Sequence, residues 1–312
     1  MNILQVNISD ISSNYYHYLM NLQNVKGVGV GYKFINGKQT NELSIHVLVD
    51  NKVNESYLTY NNIIPKTYMG IKTDVIEVGT PRILGIGSEL SGKYRPLKGG
   101  CGIYTKDANL DGTLGCIVVK KKVLGNKYFI LSNNHVLADS NTIPIGHEVI
   151  QPSSSHGGKF PQDIVAKLSD FVEIKFEHGI SKPKNYVDCA IAEITNKSLI
   201  SKEVLKIGKI TGAAKANLND HVRKTGITSG LTDGKIISIN TTIEVEFDDN
   251  KKVFFTNQQM ALLPSSKGDS GSVVINDKNE VIGLLFATGR LNTTFINDIN
   301  LVLKALKIDI YK

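Results

Sequence analysis

Apolar positions along the chain repeat with two periods. Across residues 9–24, Ile11, Tyr15, Leu19 and Leu22 recur at spacings of four, four and three, which puts them on one helix face. After that the pattern shortens to strand-like runs. Residues 25–35 form a glycine-bearing apolar run, Asn36-Gly37 is a hairpin-turn dipeptide, and residues 42–49 and 71–78 carry strand chemistry. Beyond residue 100, short apolar runs alternate with turn residues: 113–120, 128–132, 148–151, 190–194, 235–239, 242–247, 252–256, 272–275 and 281–287. A closing helix is expected at 298–306. Many short strands at this density predict a mainly β sandwich or barrel. The stretch 85–100 (GIGSELSGKYRPLKGG) is rich in Gly, Ser and polar residues, and the linker is set at 91–98. It separates a small α/β N-terminal domain, residues 1–90, from a mainly β part, residues 99–312. The first part holds no cluster of chemistry-bearing side chains, so its expected role is assembly, substrate gating or stability.

Composition narrows the function classes. A chain of 312 residues with 41% hydrophobic and 21% charged residues is ordinary globular material, which excludes a disordered or collagen-like protein. No apolar run approaches the roughly 18 residues needed to span a bilayer. The first 19 residues lack a cationic flank and an apolar block, so no secretory signal is expected; the chain reads as cytoplasmic, with no membrane partner. The net charge of +7 would suit nucleic acid, yet only four of the 36 basic residues are Arg and the one tight basic run is 120–122 between apolar stretches. Nucleic acid is therefore not the expected partner. Cys101, Cys116 and Cys189 are odd in number and lack CxxC spacing, which argues for buried thiols over disulfides or zinc.

The sharpest chemical signal is Lys267-Gly268-Asp269-Ser270-Gly271-Ser272, ahead of an apolar run. A serine between glycines can sit on a sharp turn and approach a ligand closely. The same turn can aim the amides of Gly268 and Ser270 at one point, an oxyanion hole. A serine hydroxyl needs a base. His135, in SNNHVLA after the run 128–131, supplies one, and Asp188, opening the run VDCAIAEI, can fix its tautomer. Taken singly, GDSG could be a loop, His135 a structural histidine and Asp188 a cap. Together, in the order His, Asp, Ser, they match one known chain order of a catalytic triad.

These segments resemble the trypsin/chymotrypsin-like serine proteases over residues 99–312. The resemblance implies two six-stranded β-barrels with the active site between them, His135 and Asp188 from the first and Ser270 from the second. The segments VKGVGVGYK, RPLKGGCGI, GTLGCIV, VIQPSSSHGG and VRKTGITSGLTDGKI look like a bacterial group of trypsin-like proteins with an N-terminal α/β domain, itself similar to plant narrow-leaf type proteases. The resemblance also marks departures. Digestive members pair the Asp before the Ser with a new N-terminus released by cleavage, so Asp269 needs another cation. Secreted bacterial relatives carry a basic residue in the segment matching VRKTG, which makes Lys224, or else Arg223, the candidate. Where trypsin has an Asp six residues before its Ser, this chain has Pro264, so a P1 preference for Arg or Lys is not implied. Leu285, Ala287 and Thr288 would form a pocket wall suited to an uncharged P1. Phe286 stands where the family usually has a Ser supporting the Asp.

Lesser signals stay in the background. Residues 107–112 copy half of a calcium loop, but Val118 stands where the bidentate Glu belongs. The run Gly27-Val28-Gly29-Val30-Gly31 lacks the GK[ST] ending of a phosphate loop. His147, His156, His178 and His221 have no paired ligand spacing. The expected protein is a serine endopeptidase acting on protein or peptide substrates with no cofactor and no metal, and able to form a homo-oligomer through its N-terminal domain. The alternative is a non-catalytic peptide- or nucleic-acid-binding oligomeric module on the same fold.

Overall fold

The computed structural model describes residues 3–81, 90–121, 123, 125–179, 181–247 and 251–312. The segment 85–89 and Lys122, which figured in the linker and the basic run, lie outside the described residues.

Two β-barrel-like sheets carry the chain. The first runs in the order Asp309–Ile310, Cys116–Lys120, Lys127–Ser132, Ala190–Ile194, Ile164–Phe171, Glu148–Ile150, Gly102–Thr105, Gly112–Thr113. The second closes on itself through Lys252–Leu262, Thr293–Asp298, Glu280–Thr288, Val273–Asn276, His221–Gly226 and Gly230–Glu246, the last pairing back onto the first. Closure leaves no edge within that ring. The expected mainly β architecture of two barrels is present.

Several expected elements sit differently. The runs 235–239 and 242–247 are one strand, Gly230–Glu246, and the run 113–120 is split around Leu114-Gly115. The strands Gly102–Thr105, Ile164–Phe171, His221–Gly226 and Thr293–Asp298 had no sequence counterpart. In His221–Gly226 and Thr293–Asp298 the apolar alternation is broken by buried polar residues, among them Lys224, Thr225, Thr294 and Asn297. The N-terminal helix is two pieces, Ile3–Asn14 and His17–Met20, and Tyr15 is exposed. The register breaks because Tyr16 turns inward, with the Lys184 ammonium 5.2 Å from its ring centroid.

The N-terminal unit is built into the second barrel. Strand Val25–Ile35 pairs with Lys38–Val49 through the Asn36-Gly37 turn, both turn residues at positive φ, and on its other side with Gly230–Glu246. Lys38–Val49 then pairs in parallel with Ile71–Glu77. Ile11, Leu19, Val28 and Ile45 share one apolar cluster with Val222, Ile236, Leu285 and Ile296 of the barrel. The glycines of the 25–35 run serve close strand approach: a Cβ at Gly31 would run into the His46 ring and the Ile237 carbonyl.

His46 carries the cost of that approach. It is fully buried, donates its Nε2–H to Tyr32 O (3.1 Å), and its Nδ1 has no partner. Burial pushes its imidazole down from 6.5 to about 4, Lys33 adding to the effect and the Tyr32 carbonyl and Asp74 opposing it. The unfolded chain therefore binds a proton that the folded chain refuses. Stability is full above pH 6.5 and falls as pH drops toward about 4. The expected loss is about 3 kcal/mol, read by urea unfolding across that range. A His46→Asn variant should lose this slope; an identical slope in both proteins would reject the assignment.

Candidate active site

Asp188 opens the strand Ala190–Ile194 and has no solvent exposure. Its Oδ1 accepts from the amides of Asn134 (2.7 Å) and His135 (3.2 Å), and its Oδ2 lies 2.5 Å from His135 Nδ1. Those amides are free to donate because they open the short helix Asn134–Leu137, whose first N–H groups have no helical partner. Asp188 is thus an N-terminal anion for the helix that holds its own histidine. With Nδ1 taken by the carboxylate, His135 presents Nε2, which is buried and has no partner. The Phe247 ring packs edge-on against the imidazole, centroids 6.2 Å apart, and stacks in turn on Phe255.

Ser270 comes from the second barrel's loop, ahead of strand Val273–Asn276. Gly268 and Gly271 flank it at φ +101° and +92°, a region that a side chain would strain. A Cβ at Gly271 would also strike Ser132 Oγ and Thr113 O, so the loop lies directly on the strand end that leads to His135. Thr113 ties the two barrels together here: its amide donates to Ser270 O (2.9 Å) and its hydroxyl to Gly268 O (2.7 Å). With both carbonyls held there, the Gly268 and Ser270 amides have no acceptor among the described residues. Ser270 Oγ is buried, 1% exposed as a residue, and has no partner either; it makes no hydrogen bond to His135 Nε2. The structure joins His135 to Asp188 and sets Ser270 against the same strand end, with the hydroxyl–imidazole bond unmade.

Asp269 faces away from Ser270 into a second buried site. Its Oδ2 accepts from Lys224 Nζ (2.9 Å), the Ser266 amide (2.9 Å) and Ser229 Oγ (2.5 Å), and its Oδ1 from the amides of Thr228 (3.0 Å) and Ser229 (3.1 Å). Lys224 and Asp269 are both without side-chain exposure. Burial pushes the Lys224 ammonium down, and Asp269 pulls it back up by its charge and its hydrogen bond. Arg223, the other candidate, faces Asn279 at 3.0 Å.

The pocket residues scatter. Leu285 is in the core shared with Val274 and Ile296, and its amide donates to Ser272 O. Ala287 lies in the cluster of Phe255 and Phe286. Thr288 Oγ1 donates to Thr293 O (2.8 Å) and accepts from Ser265 Oγ (3.1 Å), which also meets Thr294 Oγ1 at 2.6 Å. Pro264 is exposed, and its carbonyl accepts from Thr232. Sequence reading missed Thr113, Asn133, Asn297, Ser265 and Thr294. Only the GTLGCIV segment marked Thr113 at all, because its amide and hydroxyl both bond to backbone groups of distant segments, which no local pattern announces.

The family model of the trypsin-like peptidase domain matches residues 115–284, more than half of the chain, and the chain belongs to that family. No curated protein sequence matches it significantly. Among solved structures, protease A of Thermobifida fusca is 18% identical, covering 69% of this chain and 98% of its own, with a TM-score of 0.48. The chymotrypsin of Cellulomonas bogoriensis is 17% identical over 69% of this chain and 97% of its own, TM-score 0.45. The Nocardiopsis protease is 16% identical over 69% and 98%, TM-score 0.47. No helix among the described residues is long and apolar enough to cross a membrane.

Removing the ammonium from the second buried site would leave a carboxylate uncompensated. Lys224→Ala is expected to cost about 3–5 kcal/mol of stability and to loosen the Gly268–Ser270 turn. Thermal unfolding checks the first effect and proteolytic sensitivity of the loop the second. A variant as stable as the parent would show that the pair is dispensable.

Proposed function

We propose that the protein is a serine endopeptidase with His135, Asp188 and Ser270 as its triad. The observation that carries this reading is the buried His135–Asp188 pair, with imidazole Nε2 and the Ser270 hydroxyl both held without a partner where the barrels meet. Burying two polar atoms unpaired costs free energy, and a site that keeps them so is poised for a reacting group. Catalytic hydrogen bonds often tighten only when substrate arrives.

In the proposed reaction His135 Nε2 takes the proton from Ser270 Oγ as the oxygen attacks the scissile carbonyl carbon. The carbonyl π pair moves to oxygen, where the Gly268 and Ser270 amides receive it. Asp188 holds the imidazolium through Nδ1. Collapse of the intermediate expels the amine, which takes the proton from Nε2, and leaves an acyl-enzyme. Water then attacks the ester, giving its proton to Nε2, and Ser270 leaves as the restored hydroxyl. Lys224 and Asp269 hold the turn that shapes the oxyanion site. The proton that water gives to Nε2 passes back to Ser270 Oγ, so His135 ends each turnover neutral. Kinship with the bacterial group carrying an N-terminal α/β unit, and through it with plant narrow-leaf type proteases, belongs to the same proposal; the union of residues 25–49 with the second barrel supports it.

A fluorophosphonate is expected to label Ser270 and nothing else, and Ser270→Ala to abolish labelling. Cleavage of a peptide library should fall by about 10⁴-fold or more in Ser270→Ala, because triad members act as a unit. A folded parent protein that neither labels nor cleaves, yet binds peptide or nucleic acid, would favour the non-catalytic module instead.

A further inference from the structure

Asn297 is the one side chain through which the second barrel reaches Asp188 by a hydrogen bond among the described residues. It lies on the strand Thr293–Asp298 and has no exposure. Its Oδ1 accepts from the Asp188 main-chain N–H at 2.5 Å, and its Nδ2 donates to Leu284 O at 3.2 Å on the neighbouring strand. From the first barrel, Asn133 Nδ2 donates to Asp188 O at 2.7 Å. The Asp188 peptide is therefore held on one side by each barrel, and its carboxylate extends from that held Cα to the His135 amide and ring. The carboxylate itself receives no donor from the second barrel. Phe286, on the strand next to Asn297, has no polar atom in its side chain to offer and packs against Phe255 at a centroid distance of 4.8 Å.

We propose that Asn297 is a positioning residue that sets the triad's geometry across the barrel boundary. Ser270 belongs to the second barrel and the His135–Asp188 pair to the first, so their separation depends on how firmly the barrels are tied at this point. A buried amide in an apolar sheet is costly unless both ends are bonded, and here one end is used on the orienting residue's backbone. Through that bond the second barrel fixes where Asp188, and hence imidazole Nε2, stands relative to its own serine. The kinetic consequence rests on the peptidase reading; the structural one does not.

Two substitutions that match each other in shape test this. Asn297→Thr retains a side-chain oxygen facing the Asp188 amide, one bond nearer the main chain than Oδ1; Asn297→Val has the shape of Thr without that oxygen, and both suit a strand. The Val variant is expected to lose about 100-fold in kcat with KM within about twofold of the parent, and the Thr variant to recover at least about tenfold of it. A purely structural role would lower stability in both and leave kcat of the folded protein alone. A readout free of turnover is the far-downfield proton resonance of the His135 Nδ1–H···Asp188 hydrogen bond, expected in the parent and in Thr, and lost or shifted in Val. Equal kcat in Thr and Val with an unmoved resonance overturns the proposal. If the parent itself neither labels nor cleaves, the peptidase reading falls, and the resonance alone decides whether Asn297 positions the pair. Should the Val variant not fold, Asn297→Ala against Asn297→Ser makes the same comparison with the same outcomes.

Discussion

A carboxylate with no exposure is tolerable only when its lone pairs and its own peptide are answered by donors and acceptors, and Asp188 is built on that constraint. The helix start at Asn134 and His135 answers one oxygen, the imidazole the other, and two asparagines take the main-chain N–H and carbonyl. Once those bonds are in place, the histidine has one tautomer and one direction to face. The free nitrogen of the ring is a consequence of where the bonds of Asp188 go.

Asp269, the neighbour of Ser270, repeats the arrangement. There the compensation is an ammonium, one hydroxyl and three amides, all inside the second barrel. Neighbouring residues are held by different barrels here, Asp269 by Lys224 of the second and Ser270, through its carbonyl, by Thr113 of the first. Two glycines at positive φ let the chain make that change within a few residues. The proposed triad spans two barrels and needs such anchors on each, since no single element carries all three groups.

The N-terminal unit takes part in this through the long strand Gly230–Glu246. The same strand closes the second barrel, pairs with Val25–Ile35, and leads to Phe247 beside the His135 ring. The N-terminal residues are thus connected to the site by one continuous backbone element as well as by a shared core. The N-terminal unit can bear on the site by this route.

Much of the site was legible in the sequence because its chemistry needs particular residue types in particular local settings. A serine between glycines and a histidine and an aspartate at strand ends can each be recognised one segment at a time. The strand positions of 25–35 and 190–194 followed from apolar runs for the same local reason. The pairing of Lys224 with Asp269, 45 residues apart, had to come through a resemblance, since charge alone does not choose a partner. Asn297, Thr113 and the fusion of the N-terminal unit with the barrel were decided by tertiary structure alone. Their roles consist of hydrogen bonds to backbone groups and of strand pairings between distant segments. A backbone N–H or C=O is the same at every residue, so nothing in the identity of Asn297 names Asp188 as its partner until the two barrels have closed around them.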